Sequence, residues 1–100
     1  MDKILLEKID IIKKLCKQYN VSKLYAFGSI LNSNFKPDSD IDFVVKFNDI
    51  YLKNYADNFF ELKEKFKENL NREIDLIEQD SIKNPYLLEE ILKTRELIYG

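Results

Sequence analysis

Apolar residues recur along the first nineteen positions at spacings of 4, 3, 4 and 3 (Leu5, Ile9, Ile12, Cys16, Tyr19), with lysines and acids between them. This stripe predicts an amphipathic helix, ended by Asn20. The pattern then changes. Lys23 to Phe27 is dense in aromatic and aliphatic residues and stops at Gly28, which predicts a strand. From Ser29 to Ser39 the run is polar and carries Asn32, Ser33, Asn34, Pro37 and Asp38, so a short helical turn followed by a loop is expected. Ile41 to Phe47 is the most apolar segment and predicts the second strand. Asn48-Asp49 is a plausible N-cap for a long helix whose stripe is Leu52, Tyr55, Phe59, Leu62, Phe66 and Leu70. Asn69 to Arg72 break that helix, and Glu73 to Ile77 predicts a third strand. Asn84 followed by Pro85 is a cap with proline in the first helical position, so a third helix runs from about Pro85 to Lys93. Leu97 to Tyr99 either adds a short edge strand or packs as a tail.

The order α-β-(turn)-β-α-β-α predicts an α/β (α+β) fold, a small mixed sheet packed with helices. One hundred residues make a single domain spanning 1–100. With 45% apolar and 34% charged residues the chain reads as a soluble globule, with no stretch long enough to span a membrane. The N-terminus mixes both charges too early for a signal peptide. A single cysteine, Cys16, fits a reducing compartment, and the cytoplasm is the expected location. The absence of histidine excludes a Ser-His-Asp triad and a histidine general base, and with one cysteine it excludes a structural zinc site. Any metal must be a hard cation on carboxylates. A net charge of −2 argues against binding long nucleic acid, though not against a nucleotide.

The loop between the first two strands is the longest irregular piece, and such loops are usually functional. Gly28-Ser29 closes one strand, ten residues follow, and Asp40-Ile41-Asp42 opens the next. Residues two apart on a strand share a face, so Asp40 and Asp42 project together while Ile41 enters the core. Two adjacent carboxylates repel unless a cation sits between them, which is what a Mg²⁺ pair bridging phosphate oxygens requires. Gly28 allows close backbone approach to a phosphate, and the Ser29 hydroxyl can donate to it. Asp75, between Ile74 and Leu76, reaches the same cations if its strand lies beside the second one. There it would bind the catalytic metal and help deprotonate an attacking hydroxyl. Each piece alone has an ordinary reading: a turn for Gly-Ser, a solvated Asx turn for Asp-x-Asp, an exposed strand residue for Asp75. Asp38, Asp40 and Asp42 also alternate as in a calcium loop, but Phe43 stands where glycine is needed and Asp49 where glutamate is needed.

Phe27-Gly28-Ser29, the ten-residue gap and Pro37-Asp38-Ser39-Asp40-Ile41-Asp42-Phe43 together resemble the polymerase-beta-type nucleotidyltransferase superfamily, in its small prokaryotic branch of minimal nucleotidyltransferases. Tyr55 to Leu62, Ile74-Asp75-Leu76 and Ile82 to Tyr86 look like the same branch, so nearly the whole chain is covered. The resemblance implies transfer of a nucleoside monophosphate, with ATP as the expected substrate, to a hydroxyl with release of pyrophosphate. It implies Gly28 and Ser29 on the triphosphate, Asp40 and Asp42 on two Mg²⁺ ions, and Asp75 as third acid. It also implies a helical HEPN-domain partner, a toxin neutralised by adenylylation of a tyrosine. One departure stands out. Ile30, Leu31, Asn32 and Ser33 occupy the turn where many members carry arginines, leaving Lys36 as the only cation in the loop to contact the nucleotide. Otherwise Lys46 or the partner would supply the triphosphate contacts.

Two other functions compete. A transferase acting on a small molecule, as in antibiotic-modifying relatives, would need a partner or a homodimer to build its pocket. A non-catalytic antitoxin would mask its target through exposed aromatics, for which Tyr51, Phe60, Tyr86 and Tyr99 are candidates, ordinary packing being the bland explanation.

Overall fold

The computed structural model describes residues 2–32, 35–49 and 52–100, the side chains of Leu52 and Lys53 excepted. The N-terminal helix is interrupted once. Helix α1 (Lys3–Glu7) and helix α2 (Ile9–Gln18) meet at Lys8, whose φ of −108° and ψ of 10° leave helical geometry. The single expected helix is thus two segments, α1 capped by the Asp2 carboxylate on the Ile4 N–H at 2.9 Å. Asn20 follows α2 at φ 63°, and Asn71 follows the longest helix at φ 53°. Both asparagines stop a helix by taking the left-handed conformation this residue tolerates better than most.

Strand β1 (Val21–Phe27) begins two residues earlier than its composition suggests, because Val21 pairs with Phe47 across an irregularity before Lys23. A 3₁₀ turn (Gly28–Leu31) leads into the loop, and β2 (Ile41–Phe47) has the expected bounds. Helix α3 (Leu52–Leu70) crosses from β2 to β3 (Ile74–Glu78); it begins three residues after Asp49, so the expected Asn48-Asp49 cap does not stand at its capping position. After a 3₁₀ turn (Gln79–Ser81) come α4 (Pro85–Thr94) and β4 (Glu96–Tyr99). Asn84 caps α4 through its side-chain oxygen, which accepts from Tyr86 and Leu87 N–H. The C-terminal segment is therefore a strand and not a loose tail.

The sheet has the order β3-β2-β1-β4 and is mixed, β1 antiparallel to β2 and β4, β2 parallel to β3. Its two faces are used differently. Leu24, Ala26, Ile41, Phe43, Val45, Ile74 and Leu76 point to one side and pack with Ile12, Leu15 and Cys16 of α2 and Leu62, Phe66 and Leu70 of α3. Phe43 and Phe66 hold their ring centroids 5.1 Å apart there. The other face buries Tyr25 and Val44 under Ile91 of α4, with Phe27 and Ile82 beside them. Burying both faces of β2 explains its near-continuous apolar run. No described helix is long and apolar enough to cross a membrane.

Candidate active site

The half-covered face carries the acids. Strand alternation places Asp42 on the side of Val44, opposite Ile41 and Phe43, and places Asp75 on the side of Ile77. Parallel pairing then sets Asp42 directly against Asp75, while the antiparallel pairing sets Asp42 against Phe27. One row of the sheet therefore reads Phe27, Asp42, Asp75 across β1, β2 and β3. The adjacency on which Asp75 depended is present.

Asp42 is half-buried, and its carboxyl is raised from 3.8 to about 6, first by burial and then by the negative charges of Asp75 and Asp40. Asp42 thus feels the charge of both other carboxylates. Asp40 stands one residue before β2 and is exposed, so it belongs to the loop and not to the strand. Asp75 is exposed as well. Glu73 precedes β3 and pairs with Lys67 of α3 at 3.1 Å.

Gly28 completes the group. It adopts φ +75°, and a Cβ on it would lie 2.5 Å from Asp42 Oδ2. Only glycine leaves the end of β1 this close to the carboxylate, in a conformation that L side chains rarely adopt. Ser29 follows it in the 3₁₀ turn, where its carbonyl accepts from Asn32 N–H. Among the described residues no three His, Cys, Asp or Glu side chains close into a metal cage. Three carboxylates with nothing positive between them are expected to stand apart. The donor set nonetheless fits a hard divalent cation: oxygen ligands only, and an Asp42 whose charged form is disfavoured by its neighbours, a penalty a cation would relieve.

Two lysines are less involved. Lys36 is exposed, and its backbone closes a turn with Ser39 and accepts from Arg72. Lys46 lies four residues along β2 from Asp42, about 13 Å at strand rise, with Val44 packed under Ile91 between them. Two arginines carry contacts that composition did not reveal. Arg95 stacks on Tyr25 at 3.8 Å and donates to Gln79 Oε1 at 2.8 Å. Arg72 reaches the loop before Asp40. Neither contact has a local signal, since each joins residues brought together only by the fold. A cavity of about 510 Å³ beside Asp40 is lined by loop residues and by α3, not by Asp42 or Asp75.

The model of the polymerase beta nucleotidyltransferase family matches residues 10–100. The chain belongs to this family. Its relatives include a Methanocaldococcus jannaschii protein provisionally named a protein adenylyltransferase, 37% identical over 90 residues, covering 87% of this chain and 85% of the relative. The protein adenylyltransferase MntA of Thermococcus cleftensis is 33% identical over 108 residues, covering 99% of both chains. Among solved structures, one provisionally described as a minimal nucleotidyltransferase superposes with a TM-score of 0.79 at 23% identity, covering 96% of this chain and 95% of the other. A toxin–antitoxin crystal structure with AMP-PNP gives 0.74 at 23% identity, over 92% of this chain and 73% of the other. A complex of tri-AMPylated Shewanella oneidensis HEPN toxin with its MNT antitoxin gives 0.68 at 22% identity, over 95% and 71%. At these identities the solved structures establish the shared fold. The family's chemistry is nucleotidyl transfer, and the Gly-Ser to Asp-x-Asp spacing that suggested it is the stretch from Gly28 to Asp42.

Of the four exposed-aromatic candidates, Phe60 and Tyr86 are 63% and 82% exposed, whereas Tyr99 packs against the core and Tyr51 lies outside the described residues.

Proposed function

We propose that this nucleotidyltransferase moves AMP from Mg·ATP to a hydroxyl of a protein partner, a tyrosine on a HEPN-type toxin, and acts as the antitoxin. The observation carrying the proposal is the juxtaposition of Asp42, Asp75 and Asp40 beside the side-chain-free Gly28. The names of the two adenylyltransferase relatives and of the AMPylated toxin complex support the choice of nucleotide and acceptor.

A pair of Mg²⁺ ions, when bound, would neutralise the triphosphate and acidify the attacking hydroxyl. Asp42 and Asp40 would hold those ions from one side, and Asp75 from the neighbouring strand. Gly28 admits the phosphates close to the backbone, and the Ser29 hydroxyl donates to a phosphate oxygen. The acceptor oxygen bonds to the α-phosphorus as the bond to the bridging oxygen of the β-phosphate breaks, and pyrophosphate leaves. The acceptor proton passes to Asp75, the exposed member of the pair and the one open to an incoming side chain.

Incubation with α-³²P-ATP and Mg²⁺ in a native lysate is expected to label one protein, and Asp42→Asn is expected to label none. Equal labelling by Asp42→Asn would refute the assignment. The exposed Phe60 and Tyr86 favour a second reading, in which binding alone masks the partner. Retained neutralisation by Asp42→Asn would establish that reading.

A further inference from the structure

The acid that most needs holding is Asp40, because it sits at the end of a loop with the Asp42 carboxylate near enough to feel its charge. Its two flanking peptide groups are both tied to the corner between α3 and β3. Before it, the Ser39 carbonyl accepts from Arg72 Nη1 at 2.7 Å. After it, the Ile41 N–H donates to the Glu73 carbonyl at 3.0 Å. Consecutive residues thus grip both sides of one aspartate. The same Arg72 nitrogen also donates to the Lys36 carbonyl at 3.0 Å, and the guanidinium lies 4.5 Å over the Phe35 ring. The segment so held is already a closed turn, with Ser39 N–H on the Lys36 carbonyl and Lys36 N–H on Ser39 Oγ, both at 3.0 Å.

We propose that Arg72 is a positioning residue, a strut that fixes the loop of Phe35 to Ser39 so that the Asp40 carboxylate is presented to the metal-binding side of Asp42. Arginine suits the task because one planar cation makes the stack and the two carbonyl contacts at once; a lysine ammonium donates but does not stack as a plane. The proposal rests on the metal-dependent transfer reading, yet its first readout is independent of transfer.

Amide hydrogen exchange, Mn²⁺ binding followed by EPR, and label transfer are measured on wild type, Arg72→Ala, Arg72→Lys and Phe35→Leu in the full chain. Arg72→Ala is expected to raise exchange at residues 36–41 while the α2 and α3 amides keep their protection. Mn²⁺ affinity is expected to fall by about tenfold or more, as when a residue supporting a ligand is removed. Transfer is expected to fall in kcat more than in KM for ATP. Arg72→Lys and Phe35→Leu should fall between. On an Asp40→Asn background, Arg72→Ala should cost no further Mn²⁺ affinity, since the strut then has nothing to position. Unchanged exchange in the loop overturns the proposal, and so does an equal loss on the Asp40→Asn background. Wild type that binds Mn²⁺ but transfers no label would overturn the functional reading alone, leaving exchange and Mn²⁺ binding to decide the strut.

Discussion

Replacing Asp42 by asparagine should abolish transfer and at the same time make the metal-free protein more stable. The wild-type carboxyl is raised from 3.8 to about 6 by burial and by Asp75 and Asp40, so its charged form is disfavoured in the folded state. Were the site sealed from water, that difference would amount to about 3 kcal/mol. Asp42 is only half-buried, and solvent screening reduces the figure to about 1–2 kcal/mol. Because the folded form holds the proton more tightly, the contribution of this carboxyl to wild-type stability is most favourable below pH 4. It declines as pH rises from about 4 to about 6 and stays low above that range. Asparagine carries no charge, so its advantage should be near zero at pH 4 and complete at pH 7.5. In thermal unfolding without divalent cations, Asp42→Asn should then melt about 5 °C or more above wild type at pH 7.5. Adding Mg²⁺ should raise the wild-type midpoint and narrow the gap, since a ligand that binds only the folded state stabilises it. A gap that is absent at pH 7.5, or the same at both pH values, would refute this account of the acids.

Gly28→Ala should lose about 2 kcal/mol or more, because its Cβ would meet Asp42 Oδ2 at 2.5 Å in a backbone conformation unfavourable to alanine; denaturant titration measures this, and transfer should fall with it. Asn84→Ala should lose about 1 kcal/mol through the α4 cap, lowering the melting temperature while leaving Mn²⁺ affinity unchanged. Cys16 is fully buried and its thiol is pushed up to about 12, so iodoacetamide at pH 8 should leave the native protein unmodified and alkylate it only after unfolding, as mass spectrometry would record.

Periodicity served well wherever a single face of an element meets the core. The α3 stripe from Leu62 to Leu70 is buried as its spacing implies, and β2 has the bounds its apolar run implies. The failures came from backbone geometry that apolar spacing does not register. The break at Lys8 leaves the stripe from Leu5 to Ile12 intact and so left no trace in it. Val21 joined β1 across a bulge that the polar Ser22 disguised. At the site, Gly28, Asp40 and Asp42 were legible because their spacing is short, and Asp75 was legible once a strand neighbour was assumed. Arg72 was not, since its partners are 33 and 36 positions away and nothing in its own surroundings distinguishes it from a helix-ending cation.

The pairing of Asp42 with Asp75 also bears on how the molecule is made. Gly28, Asp40 and Asp42 are joined by one strand-to-strand connection, whereas Asp75 arrives only after the 19-residue α3 has crossed the sheet and β3 has docked in parallel. Closing that longer chain segment precedes any reward from the contacts it enables, which makes parallel docking a late event in folding. It is also the step that brings like charges together. A chain stalled before it would hold a hairpin bearing Asp40 and Asp42 without the acid of β3 beside them, so the competent site awaits the β2–β3 pairing.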